Sequence, residues 1–324
     1  MLDGAISHDK ITRFLGSEDF DAKSLWKMVK PMVRKYERDD GVLIVDDTIE
    51  EKPYTDESEL VCWHYDHSKG RSIKGINMVN VLYQTEEIHI PVNYHLVEKD
   101  LWVWNKKKEK EVRKSRKTKN EHMRDMLKKC KENHIKFRYV LADIWYGSAE
   151  NMKYIAKDLQ RFFIVPLKSN RNVALSLADK DKGLYQTVGD LALEQGSIIT
   201  IYLEGLDFPL HLTKLIFKNE DDSEAVLYLV TTDLTIDADT MDSLYQKRWG
   251  VGVSDEGHII QSVQVRPRLK DSSLVAWETP WRESKTVMLS DKILERRMGN
   301  PSGCNSCERR GSLVTRKSGG RDGR

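Results

Sequence analysis

Two short apolar segments, each followed directly by an acidic residue, constrain the fold of this chain more than any other feature. Val42-Leu43-Ile44-Val45 is a β-branched run followed by Asp46-Asp47-Thr48, and a second apolar run over 137–142 is followed by Asp143. Short apolar runs rich in β-branched residues are typical of buried strands. The pattern predicts two strands of one sheet that place carboxylates at its edge.

The surrounding pattern predicts helices and further strands. Apolar residues at helical spacing predict helices over 7–39, 123–131, 148–159 and 237–249, with Ser148 as an N-cap. Strands are expected at 42–45, 73–83, 88–96, 137–142 and 162–165, and shorter ones at 198–203, 210–217 and 225–230. Residues 50–71 form a polar segment, to which we assign no helix or strand. This order predicts an α/β fold, a mixed sheet flanked by helices, with β-rich material before the last helix.

Five segments follow from this reading. We expect a helical N-terminal region at 1–40, the core at 41–167, a β-rich insertion at 168–235, the final core helix at 236–252 and an aberrant tail at 253–324. The tail lacks sustained periodicity and ends rich in Gly, Ser and Arg, so we expect it to be poorly ordered.

Composition excludes few functions. Lys and Arg total 53 against 51 Asp and Glu, and this balance neither predicts nor excludes a nucleic-acid partner. No apolar window is long enough for a membrane span and no secretory signal is present, so we expect no membrane partner and a cytoplasmic location. For Cys304-Asn305-Ser306-Cys307 we favour a solvated loop with two free thiols over a zinc site.

The acids after the two strands are candidate ligands for a divalent metal. Mg²⁺ is usually held by one or two carboxylates together with phosphate oxygens and water, and Asp47 and Asp143 fit that role. Either acid alone would more often be a turn or a helix cap. Asp46 competes with Asp47, because successive side chains of a strand point to opposite faces. The interpretation depends on the two carboxylates meeting.

Three segments together resemble a known family. They are Leu43 to Thr48, Val140 to Gly147, and Tyr245-Gln246-Lys247-Arg248-Trp249-Gly250-Val251. In their order and residue types they resemble the DDE transposases of bacterial insertion sequences. The likeness is greatest to the group with the signature Tyr-x2-Arg-x3-Glu-x6-Lys, where x is any residue. The resemblance covers about residues 8 to 251.

This resemblance implies a fold, an activity and a site. It implies an RNase H-like core interrupted by a β-rich insertion before the last catalytic helix. The implied activity is Mg²⁺-dependent (or Mn²⁺-dependent) cutting at transposon ends and joining of the freed 3′ hydroxyl to target DNA. Asp47 and Asp143 match the first two carboxylates, and Tyr245 and Arg248 match the signature. The implied partner is double-stranded DNA, both at the transposon ends and at the target site. The resemblance also allows the protein to form a homo-oligomer on DNA.

The signature is incomplete in this chain. Its Glu position is Gly252 and its Lys position is Ile259, so the third carboxylate is missing unless Asp255 or Glu256 substitutes. We hypothesise that the reading frame or coding sequence changes near Gly252. The first functional hypothesis is therefore a DDE transposase impaired in this copy. The alternative is a catalytically inactive DNA-binding remnant, and an unrelated RNase H-like nuclease ranks third.

A basic stretch between the acids is the candidate DNA-binding surface, and its residues are Lys106, Lys107, Lys108, Arg113, Lys114, Arg116 and Lys117. Such a stretch neutralises phosphates or forms a solvated linker, and we favour DNA contact. For Trp102 and Trp104 we favour buried packing over base stacking. For Trp63, His64 and His67 we expect structural roles. Lys52 is expected to meet a phosphate or to pair with Glu50 or Asp56.

Overall fold

A computed structural model describes residues 21–66, 69–86, 88–106, 109–218 and 224–248 of the chain. Several predictions concern residues outside these ranges. They are the first helical segment near Ser7, the role of His67, the DNA contacts of Lys107 and Lys108, the positions Gly252 and Ile259, the Cys304–Cys307 pair and the tail.

The described residues form five α-helices and thirteen strands. The helices are α1 (Ala22–Tyr36), α2 (Lys119–Glu132), α3 (Ala149–Lys153), α4 (Leu177–Asp181) and α5 (Ala238–Gln246). The strands are β1 (Val42–Glu51), β2 (Cys62–Asp66), β3 (Arg71–Gln84), β4 (His89–Leu96), β5 (Leu101–Asn105), β6 (Lys110–Lys114), β7 (Tyr139–Ala142), β8 (Phe162–Leu167), β9 (Asn172–Ala174), β10 (Gln186–Thr187), β11 (Ile198–Leu203), β12 (Leu210–Lys218) and β13 (Glu224–Thr231). Short 3₁₀ turns cover Ile144–Tyr146 and Val188–Asp190, and a π turn, Tyr154–Asp158, extends α3.

Eleven of these strands form one mixed sheet, which confirms the predicted fold class. The order is β10-β9-β11-β12-β13-β8-β7-β1-β3-β2, with β4 paired to β3. The centre is parallel, because β7 pairs in parallel with both β1 and β8. On the other side of β8, β13 pairs with it in the antiparallel direction. The strands expected as an insertion therefore continue the sheet of the core.

Helices cover both faces of the sheet centre. Leu43 and Val45 of β1 belong to a large core with α1 and α2, including Val33 and Met123. Ile44 belongs to a second core on the opposite face, where α5 packs through its own apolar residues. Side chains of a strand alternate between faces, so the continuous apolar run of β1 is buried on both sides.

Two sequence predictions of local structure are wrong. β1 does not end at Val45 but continues to Glu51, because β3 pairs with it along its whole length. The segment predicted as polar over 50–71 contains β2, which pairs with the start of β3. The basic stretch, for which the sequence predicted no element, contains β6, which forms a two-stranded antiparallel ribbon with the preceding β5. The polar end of β1 is kept in a strand by its pairing with β3 and not by the strand propensity of its own side chains.

Among the described residues, none of the helices has the length and apolar character that crossing a bilayer requires. The cytoplasmic location stays a prediction.

Candidate active site

The register of the central strands brings the predicted acids to the place where the pairing of β1 with β7 ends. The predicted position at the end of a strand is correct for Asp143 and wrong for Asp46 and Asp47, which lie inside β1 because β1 continues beside β3. Val45 of β1 pairs with Ala142 of β7 in parallel, and this is the last pair between the two strands. Asp46 directly follows Val45, and Asp143 directly follows Ala142. Asp143 keeps an extended backbone, with φ −73° and ψ 165°, before the chain turns into the 3₁₀ turn.

Asp46 and Asp47 point to opposite faces of β1. By alternation, Asp46 shares the face of Ile44 and of α5, whereas Asp47 shares the face of Val45 and of α2. Their hydrogen-bond partners agree with this assignment, because Asp46 contacts Arg248 beyond α5 and Asp47 contacts Lys119 at the start of α2.

The Asp47 carboxylate is held by three side chains. Lys119 Nζ lies 2.5 Å from its Oδ2 and Asn77 Nδ2 donates to the same oxygen at 3.2 Å. The Tyr146 hydroxyl donates to Oδ1 at 3.1 Å. The Asp47 side chain is 19% exposed, so it is fixed in position but reachable from solvent. Lys119 is fixed in turn, because the preceding Thr118 caps α2 in a capping box.

The Asp46 carboxylate forms a buried ion pair with Arg248. Arg248 Nη1 donates to Asp46 Oδ2 at 2.9 Å, and Arg248 Nε lies 3.2 Å from the Tyr245 hydroxyl. Both charged side chains are only 5% exposed. Burial alone would lower the pKa of Arg248, but the neighbouring Tyr245, Asp46 and Asp143 raise it. The two signature residues thus bind the segment after α5 to β1.

Asp143 is close enough to act electrostatically on residues that contact Asp46 and on a residue that contacts Asp47. Its side chain caps the 3₁₀ turn by accepting from the Ile144 amide. Its charge acts on Arg248 and Tyr245 on one side and on Tyr146 on the other. Burial first, and then the three nearby aspartates, raise the pKa of Tyr146 well above its ordinary value. Tyr146 therefore stays protonated and acts as a donor to Asp47.

The donor set fits a hard cation such as Mg²⁺ at Asp47. The Oδ1 atom of Asn77, whose amide nitrogen binds Asp47, is buried and has no hydrogen-bond partner within the described part of the chain. A cation or a water bound to it would satisfy such an acceptor. The described residues contain no group of three or more His, Cys, Asp or Glu arranged around a metal, and position 252 lies outside them.

The basic stretch is only partly available to a ligand. Arg113 lies 3.4 Å from Glu57. Arg116 and Lys117 pair with Asp100 and Asp125 at 2.5 and 2.6 Å. Lys106 and Lys114 are exposed beside them.

The tryptophans of the β5–β6 ribbon are not buried, so the prediction of buried packing is wrong. Trp102 and Trp104 are 55% and 59% exposed. The ribbon is two-stranded and its strands are not part of the large sheet. Arg113 lies over the Trp102 ring at 4.4 Å.

Three further residues named in the sequence analysis, His64, Trp63 and Lys52, lie in or beside β1 and β2. His64 is buried, with its Nε2 3.3 Å from Cys62 Sγ, and burial lowers its pKa to about 3. Trp63 is exposed on β2. Lys52 pairs with Glu50 at 3.2 Å, which is one of the predicted alternatives.

Sequence reasoning missed the partners of both central acids. Lys119 directly follows Thr118, and the Thr118–Glu121 spacing predicts a helix start there, so the position of Lys119 at the start of α2 could have been predicted from the sequence. Asn77 lies across the register of β3 from β1, and no local pattern signals it.

A mixed sheet with parallel central strands and helices on both faces, with acids where the parallel pairing of β1 and β7 ends, has the architecture of an RNase H-like α/β protein. A family model described as DDE superfamily endonuclease matches residues 2–186, which is more than half of the chain. The chain therefore belongs to the DDE superfamily of endonucleases and is a transposase-type protein that acts on DNA. A search of curated proteins found no match to this chain.

Proposed function

We propose that this chain is a transposase that cuts DNA at transposon ends in a metal-dependent reaction and joins the freed 3′ end to target DNA, with its activity impaired in this copy. One observation carries the proposal: in a family of DNA endonucleases, Asp47 and Asp143 both lie just beyond the last pair between β1 and β7, and the Asp47 side chain is held in place but reachable from solvent. The family uses divalent metals, and we propose Mg²⁺ or Mn²⁺ here.

Asp47 is the better candidate than Asp46 for the first metal ligand. Asp46 neutralises Arg248 in a buried pair, so using its carboxylate for a metal would leave a buried guanidinium without its counter-charge. Asp47 is paired with Lys119, whose side chain is 38% exposed and can swing toward solvent. When bound, the metal would polarise the scissile phosphate and activate the attacking oxygen.

The remaining residues of the site position these carboxylates. Tyr146 and Asn77 fix the orientation of Asp47 through one hydrogen bond each. The 3₁₀ turn after β7 fixes Asp143. The Arg248–Asp46 pair holds the end of α5 against β1, which is where the chain leads toward position 252.

DNA would enter from the side of the β5–β6 ribbon. We propose that Lys106 and Lys114 contact phosphates directly, and that Arg113, Arg116 and Lys117 contribute only after they release their acidic partners. Double-stranded transposon ends and target DNA are the proposed substrates, bound by a homo-oligomer. Lys107 and Lys108 belong to the same proposal.

The alternative is a catalytically inactive DNA-binding remnant, and Gly252 favours it. Glycine has no side-chain oxygen to offer at the Glu position of the signature. A cleavage assay on a labelled terminal inverted repeat, with Mg²⁺ or Mn²⁺, separates the two. Cutting that is abolished by Asp143→Ala supports the enzyme, whereas binding without cutting supports the remnant. We expect Gly252→Glu alone to fall short of the activity of an intact homologue.

A further inference from the structure

An exposed tryptophan stands directly beside the candidate active site. Trp145 is the middle residue of the 3₁₀ turn that Asp143 caps, two positions after that acid. Its side chain is 44% exposed, although large aromatic side chains are usually mostly buried. Trp145 is not among the residues assigned above to hold the carboxylates. Its exposure next to Asp143 makes the indole available to a ligand of the active site.

The turn that carries Trp145 is rigid. The Tyr146 amide donates to the Asp143 carbonyl at 2.9 Å and the Gly147 amide donates to the Ile144 carbonyl at 3.2 Å. A Cβ at Gly147 would lie 2.8 Å from the Pro166 carbonyl of β8, so the turn packs too closely on that strand for any larger residue. The adjacent Tyr146 is buried. The indole is thus presented on a fixed support.

A cation lies over the same ring. Lys168 Nζ is 4.3 Å from the centroid of Trp145, a cation–π contact. Lys168 is exposed and directly follows β8, and β8 runs parallel to β7, so both strands deliver their next residues to the same edge. Arg171, in the turn after Lys168, donates to the Gly147 carbonyl at 3.3 Å. The two turns are therefore bound to each other.

This combination matches the chemistry of a nucleotide. An exposed aromatic face stacks any base, and an ammonium next to it neutralises a backbone phosphate. Both groups are carried by the turn that begins at Asp143 and by the turn packed against it. A strand whose phosphate reaches Asp143 would bring a neighbouring base within the range of the indole.

We propose that Trp145 and Lys168 form a nucleotide-binding subsite that stacks a base of the DNA strand next to the scissile phosphate and neutralises an adjoining phosphate. The inference rests on the proposed function for the place of the scissile phosphate. It assigns Trp145 and Lys168 as positioning residues that act by binding DNA, and Asp47 and Asp143 keep the chemistry.

The test is DNA binding by the full chain, read by fluorescence anisotropy and by 2-aminopurine placed near the cleavage position of a terminal repeat. Trp145→Ala should weaken binding about fivefold to 150-fold and raise the 2-aminopurine emission in the complex, because a base loses its stacking partner. Trp145→Phe should keep much of both signals. Trp63→Ala, at a tryptophan on β2 that is 55% exposed, is the matched control and should change neither.

Lys168→Ala should lower the steepness of the salt dependence of binding by about one phosphate contact, that is, by about 0.7 to 0.9 in the slope of log K against log salt. Thermal melting checks that each variant is folded. Unchanged affinity and emission in a folded Trp145→Ala variant would overturn the inference. Asp143→Asn separates it from the proposed function: if that variant still cuts, the catalytic proposal fails, whereas a stacking signal retained in it still supports the subsite.

Discussion

Arg248 and Asp46 form a buried ion pair across 202 residues of sequence, with 2.9 Å between Nη1 and Oδ2. The pair joins the chain just beyond α5 to the middle of the central strand β1. Asp47, the next residue, faces the other side of the sheet and pairs with Lys119 instead. Two adjacent aspartates therefore have separate roles, which the following predictions test.

Removing one partner of the buried pair should be strongly destabilising. Arg248→Met leaves the Asp46 carboxylate buried without its counter-charge, so we expect the free energy of unfolding to fall by about 3–5 kcal/mol. Urea denaturation measures it. Arg38→Met, which breaks the exposed pair with Asp40, is the control and should cost at most about 1 kcal/mol. Equal losses in the two variants would contradict the anchoring role of Arg248.

Asp47→Asn and Asp143→Asn should abolish cleavage without unfolding the protein. Each change removes a carboxylate that we assign to the metal, so we expect metal-dependent cutting to fall by at least about 100-fold. Asp207→Asn removes only the exposed partner of Lys157 and serves as the control. If Asp47→Asn cuts normally, the first ligand is not Asp47. Cleavage of a labelled terminal repeat is the measurement.

Replacing Lys119 should strengthen metal binding. Its ammonium occupies the Oδ2 side of Asp47, and a cation must compete with it there. We expect Lys119→Met to raise the affinity for Mn²⁺ about fivefold, which corresponds to about 1 kcal/mol for a partly exposed pair. Isothermal titration calorimetry measures it. Lys117→Met, which breaks the nearby exposed pair with Asp125, should leave the affinity unchanged. Weaker binding by Lys119→Met would show that the lysine supports the metal instead.

Acid should destabilise the protein through His64. Burial lowers the pKa of His64 to about 3 from an ordinary value of 6.5, so the unfolded chain takes up a proton that the folded chain refuses. The contribution of His64 to the free energy of unfolding is fully present above pH 6.5 and is lost as the pH falls from 6.5 toward 3. Between pH 7.5 and 5.5 we expect a loss of about 1.4 kcal/mol from this group.

His64→Gln should remove that part of the pH dependence, as measured by urea unfolding at the two pH values. The same substitution at His134, an exposed histidine, should leave it in place. A pH dependence that is identical in wild type and His64→Gln would show that His64 is not responsible.

The sequence was sufficient for the central elements. β7, β8, α2 and α5 follow from apolar runs and helical spacing, because burial on both faces leaves a strong pattern in the residues themselves. The end of β1 could not be predicted. Residues 46–51 are polar except for Ile49, and the pairing with β3 keeps them in a strand.

The partners of the acids were less accessible to prediction. The pairing of Asp47 with Lys119 depends on α2 packing over β1, and the pairing of Asp46 with Arg248 depends on α5 packing on the other face. Neither packing relation is encoded by local spacing. The exposure of Trp102 and Trp104 was missed because an aromatic alternation looks the same in a covered strand and in a solvated ribbon.

The hydrogen bonds between β13 and β8 have a consequence for any attempt to trim this protein. Excising 168–235 as a dispensable module would strip β8 of a neighbour along Ile164 to Leu167 and leave a bare row of amides and carbonyls. Such an open flank invites pairing with another copy. A shortened variant is therefore expected to form aggregates instead of a smaller nuclease.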